Sequence, residues 1–234
     1  MTIDHPHRAG RGNPRNRPES RNTMDGSSSR SIRHLAMAGI VGGGATAISG
    51  VVIQAVVQPA STIPAEMWSY PWPSDTFVPV TLVFAGFHLL VFLGLLGFAR
   101  SGLAGPGRTA RVGMRLAMAG TAVFFAAELA SIPINDQRMD DPGPMIVGGI
   151  FGLAVLLTAV GLLLAGWATL RAGQWRDWRR FVPLAAGIWT AVLVGMSATS
   201  ALPTGVGIYG LCILLLGLAL YTQPTPALAG TPCQ

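Results

Sequence analysis

The stretch from residue 77 to residue 132 reads FVPVTLVFAGFHLLVFLGLLGFARSGLAGPGRTARVGMRLAMAGTAVFFAAELASI. It consists of an apolar run at 77–99, a turn at 100–111 that contains three arginines, and a second apolar run at 112–132. Both runs exceed twenty residues. Because a helix rises about 1.5 Å per residue, about twenty apolar residues cross the hydrocarbon core of a bilayer. The stretch therefore predicts a transmembrane helical hairpin.

The composition of the whole chain agrees with a membrane protein. Half of the 234 residues are apolar and only 11% are charged, whereas soluble domains have about 25% charged residues. The net charge of +6 is held in the N-terminal tail and two short turns, so we expect no nucleic-acid partner. The two cysteines, Cys212 and Cys233, are too few for a disulfide framework, and the sequence has no metal-ligand spacing. No cofactor is implied.

Four further apolar runs extend the hairpin to six predicted spans, and the first run lacks a signal-peptidase cleavage pattern, so we expect it to be retained. The sequence thus predicts an all-α, six-helix transmembrane bundle. Residues 1–34 are rich in arginine, proline and glycine and almost free of apolar side chains, which predicts a disordered tail. Residues 223–234 form a second short tail. The predicted spans are 35–58, 77–99, 112–132, 144–170, 181–200 and 205–222.

Two connecting segments carry tryptophan and tyrosine, which are enriched at the headgroup level of membranes. The linker between the first two spans contains Trp68, Tyr70 and Trp72, and the turn between the fourth and fifth spans contains Trp175 and Trp178 among four arginines. We expect both segments to lie at the membrane interface.

The orientation follows from the distribution of arginine, because basic residues collect on the cytoplasmic side of membranes. All sixteen basic residues are arginines. Fifteen of them lie in the N-terminal tail, near the turn at 100–111 or in the turn at 171–180, and only Arg138 lies in a connection on the other side. The sequence therefore predicts a plasma-membrane protein with both termini in the cytoplasm.

Small residues predict how the spans pack. Gly39 and Gly43 have the GxxxG spacing that allows close approach of two helices. The first, third and fifth spans begin with related patterns, LAMAG at 35–39, LAMAG at 116–120 and LAAG at 184–187. These patterns suggest three tandem helical hairpins, although leucine, alanine and glycine are common in any membrane helix.

Three spans each carry a stripe of small or polar residues on one helical face. The spacing of three and four residues identifies the stripes as the faces that pack inward. On the second span the stripe repeats every seven residues. The stripe residues are Gly43, Ala47, Gly50, Gln54 and Gln58 on the first span, Ser74, Thr81 and His88 on the second, and Ala117, Thr121, Phe124, Glu128, Ser131 and Asn135 on the third.

His88, Glu128 and Gln54 form the candidate intramembrane polar site. By helical rise His88 lies roughly 16 Å and Glu128 roughly 7 Å from the outer end of its span. Side chains lean toward the N-terminus of their helix, so His88 leans outward and Glu128 leans inward. These opposite leans reduce the difference in depth between the two side chains. Gln54 lies near the level of Glu128, and we expect it to donate a hydrogen bond to the carboxylate.

Two interpretations of this site remain open. The polar groups either bind a polar ligand or relay protons in an outward-facing cavity between the first three spans, as expected for a binding or transport-related protein, or they only fix helix packing in a scaffold for a membrane partner or homo-oligomer. An enzyme is the weakest interpretation, because the sequence contains no HExxH, GxSxG or glycine-rich phosphate loop. No catalytic residue, metal ligand or specific small-molecule ligand is assigned, and the lipid bilayer is the one partner that the composition implies.

Three segments carry a resemblance to known sequences. They are WSYPWPSD at 68–75, GLLGFARSG at 94–102 and ELASIPINDQRMDD at 128–141. In these segments and in its six spans the chain resembles uncharacterised multi-pass membrane proteins of high-GC bacteria. The resemblance covers residues 35–222 and implies membrane insertion, with no activity to transfer.

Overall fold

The computed structural model of the chain describes residues 19–197 and 199–223, with side chains described from residue 29 onward. Six long helices make up most of this part of the chain, and each forms a segment long and apolar enough to span a membrane. The predicted all-α, six-span architecture is confirmed. The helices are α1 (Glu19–Val52), α2 (Ser74–Ser101), α3 (Arg108–Ser131), α4 (Pro142–Ala172), α5 (Val182–Met196) and α6 (Leu202–Tyr221).

Short turns of other helical types extend three of these helices. α1 continues through a π-helical turn, Ile53–Val57, into a last α-helical turn, Gln58–Ala60. A 3₁₀ turn, Ile132–Ile134, follows α3, and another, Asp177–Phe181, precedes α5. A π-helical turn accommodates one more residue than an α-helical turn and therefore rotates the side chains that follow it.

Proline marks the start, and glycine the end, of both α2 and α4. α2 begins directly after Pro73, and α4 has Pro142 as its first residue, where a missing N–H costs no helical hydrogen bond. The two helices terminate at Gly102 and Gly173, whose φ angles are +70° and +62°. This left-handed conformation suits glycine because it has no Cβ atom.

The first helix begins earlier than the predicted span. α1 starts at Glu19, inside the tail predicted at 1–34 to be disordered, because no proline interrupts the chain between Pro18 and Pro59. Residues 1–18 of that predicted tail lie outside the described residues. The same holds for residues 224–234 of the predicted C-terminal tail.

The fifth helix is shorter than the predicted span at 181–200. α5 ends at Met196. The hydroxyl of Ser197 donates to the carbonyl oxygen of Val194, and the hydroxyl of Thr199 donates to that of Met196. Such side-chain hydrogen bonds compete with the backbone ladder and favour a turn.

The six helices form a closed ring in chain order. Each helix packs against its neighbours in sequence, and the ring closes where α1 packs against α6. The three predicted hairpins, α1–α2, α3–α4 and α5–α6, are therefore pairs of adjacent helices. Whether they are repeats of one ancestral unit stays a prediction.

Glycines allow close contact between α1 and its two neighbours. Gly39 lies against α2, where an added Cβ would be 3.1 Å from the Cα of Gly94. Gly43 lies against α6, where an added Cβ would be 2.7 Å from the carbonyl oxygen of Gly210. The packing role predicted for Gly39 and Gly43 is therefore observed, and it serves two different interfaces.

The α3–α4 interface is built in the same way. An added Cβ on Gly161 of α4 would be 2.7 Å from the Cα of Ala117, and one on Gly120 of α3 would be 2.6 Å from the carbonyl oxygen of Ala154. Larger side chains fill the centre of the ring. The most deeply buried of these are Phe98, Leu95, Leu162, Ile213 and Leu216.

Candidate functional site

The candidate site lies where α2 passes the end of α3. His88 is fourteen residues after Ser74, the first residue of α2, whereas Glu128 is three residues before the end of α3 at Ser131. At about 1.5 Å per residue, the first turns of α2 extend roughly 21 Å beyond His88, well past the end of α3. The pair therefore lies deep relative to α2 and close to the end of α3.

His88 and Glu128 are in direct contact. The Nδ1 atom of His88 lies 2.9 Å from Oε1 of Glu128, and each residue is only 8% exposed. The contact expected from the opposite leans of the two side chains is therefore present. It links α2 to α3 inside the bundle.

We infer from the neighbouring carbonyl group that Nδ1 of His88 carries a proton. Nδ1 of His88 also lies 3.0 Å from the carbonyl oxygen of Phe84, one helical turn earlier. A carbonyl oxygen only accepts, so Nδ1 donates, and the same N–H is directed at Oε1 of Glu128. The carboxyl group consequently acts as an acceptor in this contact.

The second carboxyl oxygen of Glu128 is unsatisfied. Oε2 is buried and has no hydrogen-bond partner among the described residues. Buried polar atoms almost always have a partner, and one without costs about 1–3 kcal/mol. This atom is the most unusual feature of the site.

The other polar residues of the α3 face satisfy the backbone of their own helix. The hydroxyl of Ser131 donates to the carbonyl oxygen of Glu128 over 2.6 Å, and that of Thr121 donates to the carbonyl oxygen of Ala117 over 2.9 Å. These residues are buried, as the stripe predicts. Their hydroxyl protons are engaged and are not directed at Oε2.

A row of aromatic rings connects the pair to the linker between α1 and α2. The ring of His88 packs on Phe124 with centroids 4.5 Å apart, and Phe124 packs on Phe151 of α4 at 4.9 Å. Trp68, from the linker between α1 and α2, continues the row at 6.2 Å from Phe151. Sequence reasoning identified Phe124 but missed Phe151, because α4 is apolar on every face and offers no periodic signal.

The two loops at this end of the bundle are joined by backbone hydrogen bonds. The N–H of Trp68 donates to the carbonyl oxygen of Gln137 over 2.9 Å, and the N–H of Met139 donates to that of Glu66 over 2.7 Å. These two hydrogen bonds hold the loop before α2 against the loop before α4, beside the aromatic row.

The prediction that Gln54 donates to Glu128 is wrong. The side-chain N–H of Gln54 donates to Gln58, and its carbonyl oxygen accepts from Thr204 of α6, both over 3.1 Å. The stripe on α1 is a packing face, but its partner is α6. With Gln54 directed to α6, the predicted site is reduced to His88 and Glu128.

Gln54 instead lines a groove between α1 and α6. The groove has a volume of about 300 Å³ and is formed by Gln54, Thr204 and mostly apolar residues such as Val51 and Leu211. It includes part of the π-helical turn of α1.

The turn between α4 and α5 also differs from the prediction. Trp178 is 49% exposed, as expected for a residue at the membrane interface, but Trp175 is only 3% exposed. The ring of Trp175 stacks on that of Phe98 with centroids 5.6 Å apart. Trp175 therefore packs into the core at the arginine-rich end of the bundle, and the interfacial assignment is wrong for this residue.

Within the described part of the chain, no three histidine, cysteine, aspartate or glutamate side chains are grouped closely enough to hold a metal ion.

Comparisons with protein-family models, curated proteins and solved structures find no match to this chain.

Proposed function

We propose that this multi-pass membrane protein binds or transports a small polar ligand at the His88–Glu128 pair. The observation that carries the proposal is the buried oxygen Oε2 of Glu128, which has no partner among the described residues while Oε1 contacts His88 at 2.9 Å. Ionisable groups inside a membrane commonly serve ligand or proton binding. The proposed site is formed by α2 and α3, with Phe151 of α4 beside it.

We propose further that the ligand enters from the outer side of a plasma membrane, with both termini in the cytoplasm. The arginine distribution supports this orientation, since by sequence the connections near the site contain one arginine, whereas the other fifteen lie in the N-terminal tail and in or near the turns at 100–111 and 171–180. Cysteines at Ser61 and Asp140 are expected to react with an impermeant thiol reagent in intact cells. Cysteines at Gly107 and Gly173 are expected to react only after lysis, and the reverse pattern would refute the orientation.

Access to the site is tested with a buried position on the His88 face of α2. Thr81 is buried and lies two helical turns outward of His88. In a protein with Cys212 and Cys233 replaced by serine, Thr81→Cys is expected to react with impermeant methanethiosulfonates added outside. Thr190→Cys on α5 is the matched control, because Thr190 is also buried and the substitution is the same.

The scaffold interpretation predicts a different result. A pair that only joins α2 to α3 needs no water-filled route, so Thr81→Cys and Thr190→Cys would both stay unlabelled. Equal labelling of the two positions would indicate local opening of the bundle. Only selective labelling of Thr81→Cys supports the proposed function.

A further inference from the structure

The unsatisfied oxygen of Glu128 requires a donor that the described residues do not provide. Oε2 is buried, and protonating it would leave an O–H group that itself lacks an acceptor. A buried carboxylate is most stable when both oxygens accept hydrogen bonds. The atom is therefore suited to a ligand that brings its own N–H or O–H donors.

The protein groups around Glu128 offer acceptors to a ligand and have little left to donate. The Nδ1 proton of His88 is shared between Glu128 and the carbonyl oxygen of Phe84. The hydroxyl protons of Thr121 and Ser131 are engaged by backbone carbonyl oxygens. In the neutral Nδ1–H tautomer of His88, Nε2 is an acceptor, so an anion would find no free donor on these side chains, whereas a cation would find the lone pairs of Oε2.

The charge distribution of the bundle also favours a cation. The one arginine of the loops near the site, Arg138, is exposed, and its Nε lies 3.3 Å from Asp140. By sequence the other fifteen arginines lie in the N-terminal tail or in or near the turns at 100–111 and 171–180. A local excess of carboxylates attracts cations to this end. The carboxylates in these loops or in the first turn of α2 are Glu66, Asp75, Asp136, Asp140 and Asp141.

The aromatic row adds a second type of contact for a cation. Phe124 packs against the ring of His88, with centroids 4.5 Å apart, and lies about one helical turn before Glu128 on α3. The face of an aromatic ring attracts ammonium groups, with about 0.5–2 kcal/mol depending on desolvation. An alkylammonium ion can donate an N–H to Oε2 and place its carbon atoms against a ring, which a hydrated metal ion cannot do.

We propose that Glu128 and Phe124 bind a small organic ammonium ion, such as a protonated primary amine. Oε2 of Glu128 accepts its N–H hydrogen bond, and the ring of Phe124 contacts its alkyl and ammonium groups. This inference rests on the proposed function, because it names the class of ligand at the same site.

The proposal is tested with methylammonium chloride and the full-length protein in lipid nanodiscs. The midpoint of thermal unfolding is measured at a series of methylammonium chloride concentrations. Sodium chloride is added to keep the ionic strength constant. Saturable stabilisation is expected for the native protein and for Asp177→Asn, which removes one carboxylate from the turn between α4 and α5, at the end of the bundle away from the site. At least a tenfold weaker response is expected for Glu128→Gln.

A second variant covers the case in which Glu128→Gln does not fold. Phe124→Leu keeps the carboxylate and removes the ring, and its methylammonium affinity is expected to fall by about two- to fivefold, which corresponds to about 0.5–1 kcal/mol. Stabilisation by sodium acetate in place of methylammonium, no methylammonium effect, or an equal effect in Glu128→Gln would overturn the proposal. If Thr81→Cys is nevertheless labelled selectively, only the ligand class is refuted and the proposed site stands.

Discussion

The contact between α3 and α4 allows a controlled test of how the bundle is held together. Gly161→Ala adds a methyl group to α4 at the point where the helix touches α3. Gly152→Ala adds the same group to the same helix at a position with no other atom within 4 Å of the new Cβ. The two variants share their chemistry and differ only in the neighbour that the methyl group meets.

The expected difference between the variants follows from the distances at Gly161. The added Cβ would lie 2.7 Å from the Cα of Ala117 and 2.7 Å from the carbonyl oxygen of Gly113. Carbon atoms pack best at about 3.5–4.0 Å, so the helices must separate by about 1 Å. Overpacking of this kind costs about 1–3 kcal/mol. The gain in helix propensity from glycine to alanine is the same in both variants and cancels in their difference.

We therefore expect Gly161→Ala to be about 1–3 kcal/mol less stable than Gly152→Ala. The measurement is the free energy of unfolding in mixed micelles titrated with dodecyl sulfate, followed by the fluorescence of the six tryptophans. Equal unfolding free energies for the two variants would show that α3 and α4 are not in backbone contact at Gly161, and the ring arrangement would then be incorrect.

Three further predictions concern other parts of the bundle. In a double-mutant cycle of His88→Leu and Glu128→Leu, unfolding free energies are expected to show a coupling of about 0.6–2 kcal/mol, and zero coupling would contradict the 2.9 Å contact. Trp175→Phe is expected to leave the midpoint of thermal unfolding nearly unchanged, since the indole N–H has no partner among the described residues, while Trp175→Ala is expected to cost about 3–5 kcal/mol. Gln54→Leu is expected to leave the ¹⁵N NMR signals of the His88 ring unchanged, and a shift as large as that caused by Glu128→Gln would contradict the separation of Gln54 from the pair.

The number of helices and the contact between His88 and Glu128 were accessible from the sequence. Six apolar runs of bilayer length predict six helical spans. In the hydrocarbon core no water is available, so each run forms a helix, in which the backbone N–H and C=O groups hydrogen-bond to each other. The faces of α2 and α3 follow from spacings of three, four and seven residues. Since adjacent spans joined by a short turn pack together, these two faces meet.

The partner of α1 was not accessible in the same way. The spacing of Gly43, Gly50 and Gln54 identifies a packing face, but a face does not say which helix covers it. α1 is the first span and α6 the last, so their contact depends on how the whole ring closes. Depth alone placed Gln54 near Glu128, and depth carries no information about position around the ring.

The burial of Trp175 could not be predicted from the sequence for a different reason. Four arginines lie within five residues of Trp175, and that composition predicts an exposed position at the membrane interface. Its burial depends on the surface of Phe98, more than seventy residues away in sequence. The sequence of the turn contains no local pattern that separates Trp175 from the exposed Trp178.

The energetics of the pair argue that stability alone does not account for it. A charged side chain at the centre of a membrane span costs about 2.5–3.5 kcal/mol on insertion scales, and the cost is smaller near the end of a span, where Glu128 lies. A hydrogen bond between membrane helices returns only about 0.6–1.7 kcal/mol, and Oε2 of Glu128 adds a further cost because it has no partner among the described residues. Leucine at both positions would avoid these costs. These costs support the proposal that the pair binds a ligand, in a bundle that glycine contacts already hold together.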